Sequence, residues 1–223
     1  MDAIPSPLTD DFLLTLAHDL RSHVRRSLTG VQLAARSIGP LLNAESRPRF
    51  DQAIEANRDL ERFLARLADY ANAAHSSGGR ALPLSAVIQA ALLQFPSHSF
   101  KLADFPAAAE QFRVPPEIVR TLVELIDNAL KFSRNAPVSI LMEETDDTLS
   151  VVVCDSGVGI PAADQERVFD LLLRLHSRDE FPGFGLGLPI CRRTAALAGA
   201  LVSLAPNPPG GTRATVAIPT TLH

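Results

Sequence analysis

The sequence predicts an α+β chain in which an N-terminal helical hairpin precedes an α/β sandwich domain. Three observations predict it. Residues 9–75 contain only Gly30 and Gly39 as glycines and repeat apolar side chains at helical spacing. The stretch His75-Ser76-Ser77-Gly78-Gly79-Arg80 then interrupts the pattern as a linker does. From residue 84 onward, helical periods mix with short β-branched runs, as expected for helices packed on a sheet. These shifts divide the chain into 9–75, a linker at 76–83 and a domain over 84–219.

The first helix carries its apolar stripe on Leu13, Leu16, Leu20, Val24, Leu28, Val31, Ala35 and Ile38. Thr9 or Asp10 caps its start. Gly39-Pro40 ends it, because proline donates no N–H and restricts the residue before it. A second periodic run follows on Phe50, Ile54, Leu60, Phe63, Leu64, Leu67 and Tyr70. Two helices joined by a short loop form an antiparallel hairpin. A lone hairpin cannot bury two apolar stripes, so a four-helix bundle made by two chains is expected, hence a homodimer. Downstream, 84–95 reads as helix and 110–114 as a short strand. Residues 116–133 read as a strong helix with Pro116 near its first turn. Strands are expected at 138–143 and 149–154, loops over 156–184, and a helix at 186–197. Closing strands at 201–205 and 212–218 are joined by Pro206-Asn207-Pro208-Pro209-Gly210-Gly211.

A net charge of −4 argues against a nucleic-acid partner. No run of about 18 apolar residues is present, so no membrane insertion is expected. Met1–Asp10 lacks the basic start and apolar stretch of a secretory signal. Cys154 and Cys191 are the only cysteines and lie far apart, which suggests a reducing compartment and no zinc site. Cytoplasm is the expected location.

Glu124, Asn128 and Lys131 share one face of the 116–133 helix. A carboxylate, an amide oxygen and an ammonium suit a magnesium-bound triphosphate. Taken alone, the same face reads more simply as a solvated one. Asp155 ends a strand and is followed by Gly157 and Gly159, which allow close backbone approach to a ligand. Its carboxylate suits an exocyclic amine such as that of adenine; alone, it reads as a strand-to-turn corner. Gly183-Phe184-Gly185-Leu186-Gly187-Leu188 opens a helix, where free N–H groups and the positive dipole end attract phosphate. It does not follow a strand, so a dinucleotide-binding reading fails. In the first helix, His18 sits beside the apolar stripe and is expected to be exposed. Adjacent Asp19 can hold one ring nitrogen and make the other more nucleophilic.

Four segments together resemble the ATP-binding boxes of sensor histidine kinases: Leu125–Phe132 around Asn128, Asp155–Gly159, Gly183–Leu188 and Gly210-Gly211-Thr212. Their order and separations also match. The run Arg174–Gly183 resembles the ATP lid of phytochrome-type kinases, and the segment around His18 resembles the phospho-acceptor box. The wider superfamily includes gyrase, a heat-shock chaperone and mismatch-repair ATPases.

The resemblance implies ATP and Mg²⁺ as cofactors. Asn128 and Glu124 would lie at the metal, Lys131 near the phosphates and Asp155 at the adenine. Gly157, Gly159, Gly183, Gly185, Leu186, Gly187 and Thr212 would shape the pocket, and Arg174 could contact phosphate from the lid. His18 would be the phosphorylated residue and Asp19 its base. A response-regulator aspartate would receive the phosphoryl group, with Arg21, Arg25 and Arg26 available to recruit that partner.

The sequence also departs from the family pattern. His23 stands where proline is usual, which implies a straighter helix. Ser22 replaces the Thr or Asn tied to phosphatase activity, and Leu172 replaces a common aromatic. Two other readings are an ATP-independent phosphotransfer scaffold and an ATPase that uses Glu124 on water.

Overall fold

A computed structural model of the chain describes residues 9–75, 78–103, 108–133, 136–145 and 147–220. Two compact units meet at the Asn72–Ala73 boundary. Part of the expected 76–83 linker, Ser76-Ser77, lies outside the described residues.

The first unit is an antiparallel pair of helices, α1 (Asp10–Ile38) and α2 (Ser46–Asn72). Thr9 caps α1, its hydroxyl accepting from the Phe12 N–H at 3.3 Å. Asp10 and Asp11 complement the dipole in the first turn. The α-helix stops at Ile38, and Gly39–Leu41 form a 3₁₀ turn around Pro40. Asn43 then organises the entry to α2, its Oδ1 accepting from Ser46 N–H at 2.8 Å. Arg25 reaches across the hairpin to Glu61 at 2.7 Å. The helix runs unbroken through His23, whose N–H permits the ladder that proline would interrupt. Of the expected α1 stripe, Leu13 and Leu28 are buried together with Ala17, whereas Leu16 and Leu20 remain exposed beside Phe12.

The second unit is a two-layer α/β sandwich. Its sheet has five strands in the order β2-β4-β5-β7-β6. These are β2 (Phe100–Leu102), β4 (Val138–Glu144), β5 (Thr148–Cys154), β6 (Leu201–Pro206) and β7 (Thr212–Pro219). Only β2 and β4 run parallel; the remaining pairs are antiparallel. Helices α3 (Leu84–Leu92), α5 (Glu117–Phe132) and α6 (Gly187–Leu197) supply the second layer. The core joins Val87, Ile88, Leu122 and Ile126 to Ile140, Val151, Val153, Val216 and Ile218. Alternate residues of β7 are buried, the period-2 pattern of a sheet with one face on the core. α5 and α6 are further joined by a buried 2.8 Å hydrogen bond between the Thr121 and Thr194 hydroxyls.

Two local expectations are corrected. Residues 110–114 are not one strand: Ala108–Gln111 form a short helix, α4, and only Arg113–Val114, β3, pair with Leu82–Pro83, β1. The small and long-chain residues Ala108, Ala109, Glu110 and Gln111 favour helix over strand. The edge strand β2 was not anticipated, because three residues in a polar stretch leave no periodic signal. Among the described residues, no helix is long and apolar enough to cross a membrane.

Candidate nucleotide and phospho-acceptor sites

The nucleotide candidate is built where α5, the end of β5 and the start of α6 converge. One side of α5 is committed to the core, which turns Glu124 and Asn128 towards the opening of α6. Gly187 is the first residue of α6. A methyl group there would sit 3.2 Å from Glu124 Oε2 and 3.3 Å from Asn128 Nδ2. Its missing side chain therefore leaves a small polar cradle between a carboxylate and an amide. Asn128 Nδ2 is buried without a hydrogen-bond partner. Burying a polar atom unsatisfied costs free energy, so this N–H donor marks a place for an acceptor such as a phosphate oxygen. Asn128 Oδ1 and Glu124 Oε2 beside it are hard oxygens of the kind magnesium requires. No group of three or more His, Cys, Asp or Glu gathers for a metal among the described residues, so phosphate oxygens or water would have to complete the shell.

One turn further along α5, Lys131 reaches the lid. A methyl group on Gly183 would lie 2.8 Å from its Nζ, which also sits 4.7 Å from the Phe132 ring centroid. Burial lowers the Lys131 pKa below its ordinary value. Asp127 opposes this and Arg174 adds to it.

Asp155 lies at the β5 terminus and is 5% exposed. Its Oδ1 accepts from Gly157 N–H at 2.8 Å and Thr212 N–H at 3.2 Å. Both of these backbone bonds fall on Oδ1. Burial raises the Asp155 pKa, and hydrogen bonds from the Gly157 and Thr212 backbone and from the Thr212 side chain partly offset the rise. Asn207 fixes the same residue from behind, donating to the Asp155 carbonyl at 2.7 Å. Gly211 has φ +108, and a side chain there would collide with the Asp155 carbonyl. Gly211→Ala is expected to destabilise the fold by about 2 kcal/mol or more, read as a lowered thermal midpoint, because strain and collision add.

The lid begins at Leu171, after the Arg167–Phe169 3₁₀ turn, and ends at Leu186, the buried residue that caps α6. Leu186 O accepts from Ile190 N–H at 3.0 Å. Arg174 directs its guanidinium to backbone carbonyls of the lid. Phe181 and His176 stack with Phe132 of α5, the Phe132–Phe181 centroids lying 4.7 Å apart.

His18 and Asp19 belong to the other unit. The His18 side chain is 84% exposed, with Nδ1 3.5 Å from Asp19 Oδ1. When Asp19 accepts from Nδ1–H, the lone pair lies on Nε2, the nucleophilic tautomer. His23 differs: Arg26 donates to its Nδ1 at 2.9 Å, which leaves Nε2 carrying the proton. Ser22 turns its hydroxyl to the Asp19 carbonyl at 2.8 Å.

The family model for histidine kinase-, DNA gyrase B- and HSP90-like ATPases matches residues 113–222. The adaptive-response sensory kinase SasA of Synechococcus sp. (strain JA-2-3B'a(2-13)) is 32% identical over 211 residues, 82% of this chain and 52% of the relative. The chain carries a sensor histidine kinase catalytic core. SasA of Gloeothece citriformis (strain PCC 7424) is 31% identical over 204 residues, 82% of this chain and 51% of its own. The chain thus spans about half the length of the curated relatives it matches. Full-length ShkA in complex with AMPPNP shares the fold at TM-score 0.68 and 20% identity, over 94% of this chain and 46% of that one. The histidine kinase AdeS of Acinetobacter baumannii does so at TM-score 0.59 and 18% identity, over 92% and 98%.

Within this histidine kinase core, the structure gathers Glu124, Asn128 and Gly187 in one place and Lys131 with Gly183 in another. It joins Asp155 to Gly157 and Thr212, with Gly159 packed against Gly211. Arg174 contacts Gly183, while Gly185 packs on the Leu172–Leu173 backbone. Sequence reasoning missed Asn207 and the Phe132–His176–Phe181 cluster. In the sequence Asn207 reads only as part of a turn between strands. The one available signal was an amide residue within a run of proline and glycine, where a carboxamide can bond to backbone.

Proposed function

We propose that this chain is an ATP-dependent protein-histidine kinase that phosphorylates its own His18 and passes the phosphoryl group to a response-regulator aspartate. Residues 9–75 serve as the dimerisation and phosphotransfer hairpin, 76–83 as the linker and 84–219 as the ATP-binding domain. The observation that carries the reading is the orphaned Asn128 amide facing Glu124 across the side-chain-free Gly187.

Asp155 Oδ2 accepts the adenine amine, since Oδ1 is already committed to two N–H groups. The α6 N-terminus and Lys131 face the phosphates. Asn128 and Glu124 would hold Mg²⁺, which would offset the charge of the triphosphate. His18 Nε2 attacks that phosphorus in line. The Nε2–P bond forms as the bridging P–O bond to the β-phosphate breaks, ADP leaves, and the Nδ1 proton passes to Asp19. The phosphoryl group then moves from Nε2 to the partner's carboxylate as Asp19 returns the proton to the ring, which restores neutral His18.

A homodimer is the proposed assembly. Phe12, Leu16, Leu20 and Leu60 are exposed on the hairpin, and a second copy is the natural cover for such a stripe. Light scattering at micromolar concentration should give twice the 24.0 kDa chain mass; a monomer alone would refute the dimer. Cytoplasm is the proposed location.

Incubation with γ-labelled ATP and Mg²⁺ tests the activity. Acid-labile, base-stable label on the wild type, with none on Asn128→Ala, is expected. Absence of label despite ATP binding would favour an ATP-independent scaffold, and release of free phosphate without label would favour the water-using ATPase.

A further inference from the structure

The lid has an interior of its own. Its neck is closed by Leu172 N–H donating to Gly185 O at 3.0 Å. Both residues are left-handed, Leu172 at φ 65 and Gly185 at φ 70. Gly185 must be glycine here, since a Cβ would lie 2.7 Å from the Leu173 carbonyl oxygen. Inside this neck, one Arg174 guanidinium serves three backbone carbonyls. It donates to Phe181 O at 2.9 Å, to His176 O at 3.3 and 3.4 Å, and to Gly183 O. Arg178 assists weakly at Gly183 O while stacking on Phe184, 4.6 Å from its centroid. A loop with close ends, filled by its own side chains, has the build of an Ω-loop.

We propose that Arg174 is a positioning residue that shapes the ATP lid before nucleotide arrives. This rests on the kinase reading only for the word ATP. Three lid carbonyls converge on one planar fork of five N–H donors, a task an ammonium cannot reproduce. Gly183 is at once a carbonyl partner of Arg174 and a neighbour of Lys131 Nζ, so Arg174 also sets how the lid meets Lys131. Loss of the fork releases the lid from its neck outward. Nucleotide binding then bears the entropy of ordering it.

The test is amide hydrogen exchange on the nucleotide-free chain, with wild type beside Arg174→Ala and Arg174→Lys. It is read at Leu172 and at Phe181, whose N–H donates to Ser177 O at 3.1 Å. Exchange at both amides should quicken about tenfold or more in both variants, while Val151 and Val153 in β5 keep wild-type rates. Wild-type exchange at Leu172 and Phe181 overturns the proposal. Should Arg174→Ala also release Val151 and Val153, Arg174→Lys alone decides by the same criterion. With ATP present, Arg174→Ala should raise KM about tenfold and lower kcat by less; a loss confined to kcat would mean phosphate contact only and overturn the proposal. The exchange measurement uses no nucleotide, so its failure is distinct from failure of the kinase reading.

Discussion

Asp155→Asn should lower ATP affinity on the order of 100-fold while leaving the sandwich folded. The carboxylate has two oxygens with separate duties. Oδ1 is fixed by the Gly157 and Thr212 N–H groups, and an asparagine oxygen can take over both bonds. The amide nitrogen then stands where Oδ2 stood and presents donors to the adenine amine, so a charge-assisted bond is replaced by a donor–donor clash, a loss of about 3 kcal/mol. Isothermal titration with a non-hydrolysable ATP analogue reads the affinity, and circular dichroism reads the fold. Wild-type affinity would mean that the base is recognised elsewhere.

The same carboxylate gives binding a pH dependence of known sign. Burial raises the Asp155 pKa, so protonation begins at a higher pH than for an ordinary carboxylate. The proton goes to Oδ2 and removes the acceptor, so affinity should fall as pH drops towards the carboxylate range, and Asp155→Asn should abolish that step. In the free protein the sign is reversed. Between the unfolded and the raised folded pKa the native state binds more protons, so this group's contribution to stability declines as pH rises through that window.

His18→Gln should eliminate acid-labile phosphorylation while changing ATP affinity less than about twofold, since glutamine retains a polar side chain but lacks a nucleophilic nitrogen. His18 is exposed, so its replacement touches no core. Asp19→Asn is the subtler variant. It should slow labelling by about 10²-fold or more, because an amide oxygen can still accept a bond from Nδ1–H but cannot take up its proton. A His23→Gln control should label normally, because Arg26 already occupies the His23 Nδ1. Label on His18→Gln, or its loss on His23→Gln, would move the acceptor to His23.

The sequence by itself determined the helical hairpin, the mixed sandwich and the places where the backbone requires glycine. Each depends on local chemistry. Helical periodicity is written in the order of Leu13, Leu28 and Leu64, and Thr9 caps α1 because a hydroxyl can reach an N–H three residues on. Glycine at 185 and 211 reflects backbone that cannot carry a side chain. The tertiary structure alone decided which groups meet. Asn207 bonds to Asp155, Phe132 stacks on Phe181, and Thr212 shares Asp155 Oδ1 with Gly157, all across chain separations that no periodicity encodes. It also decided that Arg174 is engaged by lid carbonyls. Sequence names a cation in a loop, but the partners of five N–H donors depend on how the loop closes, and the pinch between Leu172 and Gly185 fixes that closure. Local propensity selects elements, whereas the pairing of buried polar groups is settled only when distant segments pack and each must find a partner or await a ligand.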